Sequence, residues 1–349
     1  MEMSRVSLGT MLFGTTLNKS ESFSILDKFY ELEGRALDTA QMYPVPCTKE
    51  KIGFTERIIG EWLTSNNLRS ELLISSKIAG KSDKLQFLNQ DYSNIFSKNH
   101  LLTEINKNLS RLKTDYLDIY YLHWPARNTH NFGMGVATNP KYLYENTKNS
   151  EDYDIYIDNI FELYKQGLIK NIGISNETPY GLLKFIQAIK KYNYSGKLYL
   201  QNPINLLAPS YVITLQEICF RENISVQAHS PLAFGLLTQS KIKNIKNNKI
   251  DKHSRFYEYP NYFERYAKYR SEEFIIELDN LAKRKKINIY DLAYGFLLND
   301  NTISHIVIGP RTNKQLKVSM KSIIEFEENN KLYSEELFQI LEKYSIVSF

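Results

Sequence analysis

Asp38 closes the short apolar run at the start of ALDTAQMYP, and Tyr43 follows five residues later. A carboxylate beside a phenol does not help the phenol ionise, because like-charge repulsion raises its pKa. The pair makes chemical sense with a cation between its members. Lys77 supplies one: it ends the otherwise apolar, β-prone stretch LLISSK, where a solvated surface lysine has no reason to be. With Asp38 keeping its ammonium protonated, Lys77 would favour the phenolate and lower Tyr43 from about 10 toward working pH. Such a tyrosine can donate a proton to a developing alkoxide and take it back in the reverse direction. His123, neutral at the end of YLDIYYLH, can hydrogen-bond the same oxygen and orient it. These four groups suit a carbonyl oxygen but include no nucleophile and no metal cage, so no metal is expected. A hydride donor must come from elsewhere, which implies a nicotinamide cofactor.

The elements that must position these groups can be read along the chain. Eight β-prone runs occur: RVSLGT from Arg5, RALDTA from Arg35, LLISSK from Leu72, YLDIYYLH from Tyr116, NIGISN from Asn171, LYLQNP from Leu198, ISVQAHS from Ile224 and HIVIG from His305. Stretches of helical period separate them, such as SESFSILDKFYELE and LLTEINKNLSRLK. Alternating β and α units imply a parallel sheet covered by helices. Eight units without a linker predict one α/β domain over 1–349, a closed (β/α)8 TIM barrel. The C-terminal ends of the runs carry Asp38, Lys77, His123, Ser175 with Asn176, Gln201 and His229, where a barrel builds its active site.

Two connections are long: one from Ala126 to about Asp154, and one from about Gln239 to Tyr262. Both follow strands, so both are expected as loops over the active-site face. After the last run, GPRTNKQ places Gly309 at a turn, Thr312 where it can cap a helix and Gln315 where it completes a T-x-x-Q capping box. A helix N-terminus suits a phosphate group.

Composition narrows the class. The 349 residues carry 44 basic and 39 acidic side chains spread along the chain, a net charge of +5. That is no nucleic-acid footprint. The lysines from Lys241 to Lys252 lack interleaved aromatics and read as a solvated loop. Two cysteines, Cys47 and Cys219, make no disulfide framework and fit a reducing compartment. No signal-peptide pattern and no apolar run of about 18 residues is present, so a cytoplasmic protein without membrane partners is expected.

The blocks LDTAQMY, LLISSK, DYLDIYYLHWP, NIGISN and QAHSPLAFGLLT, in that order, resemble the aldo-keto reductases over nearly the whole chain. QMYPVP, HWPARNTHNFG and IGISNETPYG look most like the Tas-like branch. The resemblance implies an NADPH-dependent carbonyl reductase with Asp38, Tyr43, Lys77 and His123 as its catalytic tetrad. It further implies that Ser175, Asn176 and Gln201 hold the nicotinamide carboxamide. Ser230, Leu232 and Gly235 would line the cofactor, and Gly309, Arg311, Thr312 and Gln315 would grip its adenosine part. Arg255, with Lys241, would meet a 2′-phosphate and favour NADP over NAD. Trp124 and Phe132 would shape the pocket for a small carbonyl substrate, and the Tyr- and Asn-rich loop around Phe132 hints at a polar, sugar-like one.

Departures from the family pattern are specific. His229 stands where a tyrosine commonly stacks on the nicotinamide, and Val318 and Ser319 replace the usual Glu and Asn. The hairpin that often plugs the barrel bottom is not expected here, because the first run begins almost at residue 1. The same family contains barrels that bind NADPH, turn over slowly and regulate a partner, which is the competing function; the intact tetrad favours an enzyme.

Overall fold

Val, Ile, Leu and Tyr suit a strand buried on both faces, and each of the eight β-prone runs forms one. They are β1 Val6–Gly9, β2 Ala36–Asp38, β3 Leu73–Ile78, β4 Ile119–Leu122, β5 Ile172–Ser175, β6 Leu198–Pro203, β7 Ser225–His229 and β8 Ile303–Ile308. Every strand pairs in parallel with its sequence neighbours, and β8 closes on β1. The result is the (β/α)8 barrel expected from the alternation. This computed structural model describes residues 5–80, 82, 87–88, 95–125, 127, 129, 149–247, 249, 272–329 and 335–344.

Helices α1 Lys19–Glu31, α2 Phe54–Asn66, α3 Lys98–Leu112, α4 Asn149–Lys165 and α5 Pro179–Tyr192 follow the first five strands in turn. α6 Ser210–Thr214 and α7 Gln216–Arg221 fill the sixth connection. α8 Gln239–Lys246, α9 Glu272–Arg284 and α10 Ile289–Leu298 lie between β7 and β8, and α11 Asn313–Asn329 and α12 Glu335–Tyr344 follow β8. Local chemistry sets their ends. Asn18 with Glu21 and Asn288 with Asp291 form reciprocal capping boxes, which satisfy the first orphan N–H groups of α1 and α10. The apolar stripes then dock on the barrel: Leu26, Phe29, Ile59, Trp62, Leu101 and Ile105 join the outward-facing Leu8, Leu37, Ile74 and Leu122 in one buried cluster.

Inside the barrel, register decides what meets. Gly9, Asp38, Ser75 and Ile119 are partnered across β1 to β4, and Lys77, Tyr121 and Gly173 across β3 to β5. A Cβ at Gly173 would sit 2.2 Å from the Tyr121 ring, so the missing side chain on β5 makes room for the tyrosine. Tyr121, Ile119 and Tyr199 form a small apolar cluster with Leu73 packed against it.

The two long connections differ from expectation. α4 already begins at Asn149, inside the first of them. The second starts as α8, whose Ile242 and Ile245 are buried. Two isoleucines at i,i+3 suffice for a docked face, and the surrounding Lys and Asn hid that pattern. Apart from residues 127, 129, 247 and 249, the rest of both connections lies outside the described residues, as do residues 1–4; β1 is the first strand among those described. No described helix is long and apolar enough to cross a membrane.

Candidate active site

β3 delivers Lys77 to the barrel interior, where its side chain is 1% exposed. Its ammonium donates to Asp38 Oδ2 at 2.6 Å and to the Thr39 carbonyl at 2.8 Å. Burial pulls the Lys77 pKa down, and the Asp38 carboxylate opposes that pull. The other Asp38 oxygen accepts from Ser75 Oγ at 2.9 Å and from Gln201 Nε2 at 2.8 Å. A buried carboxylate is tolerated when paired and hydrogen-bonded in this way.

Tyr43 lies over this pair. Its ring centroid is 5.4 Å from Lys77 Nζ and 5.7 Å from the His123 ring, which meets it edge-on at 76°. His123 is 5% exposed. Burial, and after it the charges of Lys77 and His229, hold its pKa well below 6.5, so the imidazole is neutral at working pH. The arrangement therefore presents a phenol beside a buried cation and a neutral imidazole at one point.

The residues expected around the nicotinamide are tied to those four. Ser175 Oγ donates to the Gln201 carbonyl at 2.8 Å. Asn176, in the left-handed region at φ 55°, donates through Nδ2 to the His123 carbonyl at 2.9 Å and to Ser175 Oγ at 3.1 Å. His229 bridges Ser230 Oγ at 3.0 Å and Asn176 Oδ1 at 3.2 Å through its two ring nitrogens. Gln201 also donates to Gln227 Oε1 at 3.0 Å.

A cavity of about 660 Å³ opens on this group and runs from Tyr43 and His123 past Ser175, Asn176, Gln201 and His229 to the start of α11. Its far wall contains Ser230, Leu232, Gly235, Gly309, Arg311, Thr312 and Gln315, each expected there from the sequence. Ser230, Ala233, Phe234 and Gly235 all have positive φ, at 59°, 46°, 58° and 101°. For the three non-glycines that conformation costs roughly 1–2 kcal/mol each and persists only where the surroundings fix it. At α11, Gln315 N–H donates to Thr312 Oγ1 at 3.2 Å, as a cap requires. The reciprocal bond is displaced by one residue: Gln315 Oε1 accepts from Arg311 N–H at 2.7 Å, where a T-x-x-Q box would use Thr312.

Other placements differ. Trp124 is not among the lining residues; it is buried with Ala40, Ala79, Leu88 and Met42, of which Met42 lines the cavity, and its ring centroid lies 5.1 Å from that of His123. Lys77 is likewise enclosed beneath the cavity floor, not on it. Phe132 and Arg255 lie outside the described residues. Lys241, half-buried on α8 and 3.9 Å from a Glu272 carboxylate oxygen, does line the cavity, joined by Lys314 and Tyr290, which sequence reasoning did not single out. Tyr290 and Tyr294 stand four apart on α10, a spacing that shares one helix face and was a legible signal. Lys314 gave none. Cys47, near Tyr43, has its thiol pushed up to about 11 by burial and is no reactive thiolate at neutral pH.

The aldo/keto reductase family model matches residues 5–337. The chain belongs to the aldo/keto reductase family. It is 29% identical to Protein tas of Escherichia coli (strain K12) over 328 residues, 93% of this chain and 90% of the relative. An aldo-keto reductase of Babesia bovis is 31% identical over 254 residues, 71% of this chain and 88% of the relative. The oxidoreductase YrpG of Bacillus subtilis (strain 168) is 24% identical over 93% of this chain and 88% of the relative. This Tas-like aldo/keto reductase is thus an oxidoreductase of a family that acts on small carbonyl compounds and generally binds nicotinamide cofactors. The cavity fits such a cofactor: its volume lies within the ordinary range for a ligand site, and the cationic Lys241, Arg311 and Lys314 are among the residues that line it.

Proposed function

We propose that this chain reduces an aldehyde or ketone to an alcohol with NADPH, Tyr43 supplying the proton. The observation that carries the reading is the Lys77–Asp38 pair, buried under Tyr43 beside a cavity that Lys241, Arg311 and Lys314 also line. A nicotinamide cofactor, when bound, supplies the hydride. Everything else falls to side chains of the chain. Neutral His123 donates a hydrogen bond to the substrate oxygen and fixes it beside the Tyr43 hydroxyl. Lys77 stabilises the phenolate left on Tyr43 after proton transfer. Asp38 holds Lys77 in place, and Gln201 ties Asp38 to the cofactor wall. Asn176 and Ser175 face the cavity beside His123 and would orient the carboxamide. Lys241, Arg311 and Lys314, with the α11 N-terminus, would hold phosphate groups, and their charge supports NADP over NAD.

The test is a fluorescence titration of the purified protein with NADPH and with NADH, followed by a carbonyl screen read as NADPH consumption. Micromolar NADPH binding, weaker NADH binding and turnover of at least one aldehyde are expected. Absence of binding by either nucleotide would overturn the proposal. Tight NADPH binding with negligible turnover would favour the regulatory-subunit alternative.

A further inference from the structure

His123, just after β4, and Arg127, in the long active-site connection, mark two ends that are fastened to the same short stretch, Asn176 to Thr178, at the exit of β5. At the first end the His123 carbonyl accepts from Asn176 Nδ2 at 2.9 Å. At the second, the Arg127 guanidinium grips Glu177 as a fork: Nη2 to Oε1 at 2.7 Å and Nη1 to Oε2 at 3.1 Å. Nη2 also reaches Thr178 Oγ1 at 2.8 Å. The side chains are 12% and 1% exposed, so the pair is screened little by solvent.

Glu177 is itself held from three sides. Its backbone exchanges hydrogen bonds with the Asn202 side chain of β6, both at 2.9 Å. Tyr153 of α4 donates to Oε2 at 3.1 Å, and its ring lies 4.7 Å from the Arg127 guanidinium carbon. Gly181, in the first turn of α5, lets the carboxylate approach: a Cβ there would sit 2.2 Å from Glu177 Cδ. So much fixed structure around one carboxylate exceeds what anchoring a loop stem requires. A surface pair would serve that end.

We infer that Arg127 and Glu177 are a positioning pair that sets His123 relative to Asn176, and hence the substrate-orienting group relative to the cofactor wall. The inference rests on the reductase reading of the site. Without the fork, the segment loses its charged tie to β5's exit and keeps the Asn176 bond, the bond from His123 N–H to the Ile78 carbonyl at 2.9 Å and the packing of Trp124, and the imidazole can shift against Tyr43 by a fraction of an ångström. Misplacement on that scale is costly to a reaction that depends on alignment. Cofactor affinity, set mainly by the far wall, depends on it less.

The experiment compares wild type, Arg127→Lys, Arg127→Met and the double variant Arg127→Met with Glu177→Gln. The single Met variant strands a buried carboxylate and loses stability for that reason alone; the double variant carries no unpaired charge and recovers it. The readouts are thermal melting, NADPH affinity, kcat with 4-nitrobenzaldehyde, and the imidazole nitrogen-15 signals of His123 in the cofactor-free protein, assigned with His123→Asn. The double variant is expected to melt near wild type, bind NADPH within about threefold, and turn over roughly tenfold to a hundredfold more slowly, with displaced His123 signals. Arg127→Lys, keeping charge but losing the fork, should fall between. A folded double variant with wild-type kcat, or with unmoved His123 signals, would overturn the inference. If wild type itself shows no turnover, the reductase reading falls, and the His123 signals alone decide whether the pair positions the histidine.

Discussion

Lys77 and Asp38 meet at 2.6 Å inside the barrel with side chains 1% and 4% exposed, so neither can lose the other without leaving a charge in a dry place. Lys77→Met is therefore expected to lower stability by about 3–5 kcal/mol, because Asp38 keeps only Ser75 and Gln201 as partners. Urea unfolding measures the loss. Adding Asp38→Asn to that variant should recover much of the stability and none of the carbonyl reduction. Recovery of both would mean that the pair is architectural only.

Tyr43 lines the cavity beside His123 and has no role in closing the barrel. Tyr43→Phe should leave melting and NADPH affinity close to wild type while kcat drops by roughly 10²–10⁴-fold. Full activity in this variant would remove Tyr43 as proton donor.

His305 points to a pH effect unconnected with catalysis. Its pKa is lowered from 6.5 to about 4, by burial first and then by the charges of Arg5 and Lys197. The unfolded chain therefore takes up a proton on this residue at a pH where the folded chain does not, and stability falls as pH drops from 6.5 toward 4. Below about 4 both states are protonated and the slope from this residue ends. The full shift corresponds to about 3 kcal/mol, and His123, lowered in the same direction, adds to the slope. Urea midpoints at pH 7.5 and 5 should differ less in His305→Gln than in wild type; an equal difference would clear His305 of the effect.

Gly173 tests the packing of the barrel centre. With a Cβ only 2.2 Å from the Tyr121 ring, Gly173→Ala must displace that ring, at an expected cost of about 1–3 kcal/mol. Tyr121→Leu in the same chain should relieve part of it. Melting temperatures of the three variants settle whether the two changes are coupled.

Lys241 probes the cationic lining of the cavity. Lys241→Ala should weaken NADPH binding by roughly tenfold, the worth of one charge-assisted hydrogen bond, and leave NADH binding nearly unchanged. An equal loss for both nucleotides would place Lys241 on the shared diphosphate.

The sequence by itself determined the eight strands, their order and the polar residues towards the ends of β2 to β7. Those features follow from local propensity and from the rule that alternating units make parallel sheets. Strand-end position also brought Asp38, Lys77, His123, Ser175, Asn176, Gln201 and His229 together, because a closed barrel collects all its strand ends on one rim. Tertiary structure decided what local pattern cannot encode. Trp124 follows His123 directly, yet alternation along the chain turns it away from the cavity into a satellite core. α8 hides two core isoleucines among lysines, so only the surface it docks against reveals it as a helix. The Gln315 side chain accepts from the Arg311 N–H and not from that of Thr312, a choice made by side-chain reach at one helix turn. The Arg127–Glu177 fork joins residues 50 apart, and no periodicity reports a contact between two loops. Such contacts depend on where the closed barrel places its connections in space, and that is fixed only when all eight strands have paired.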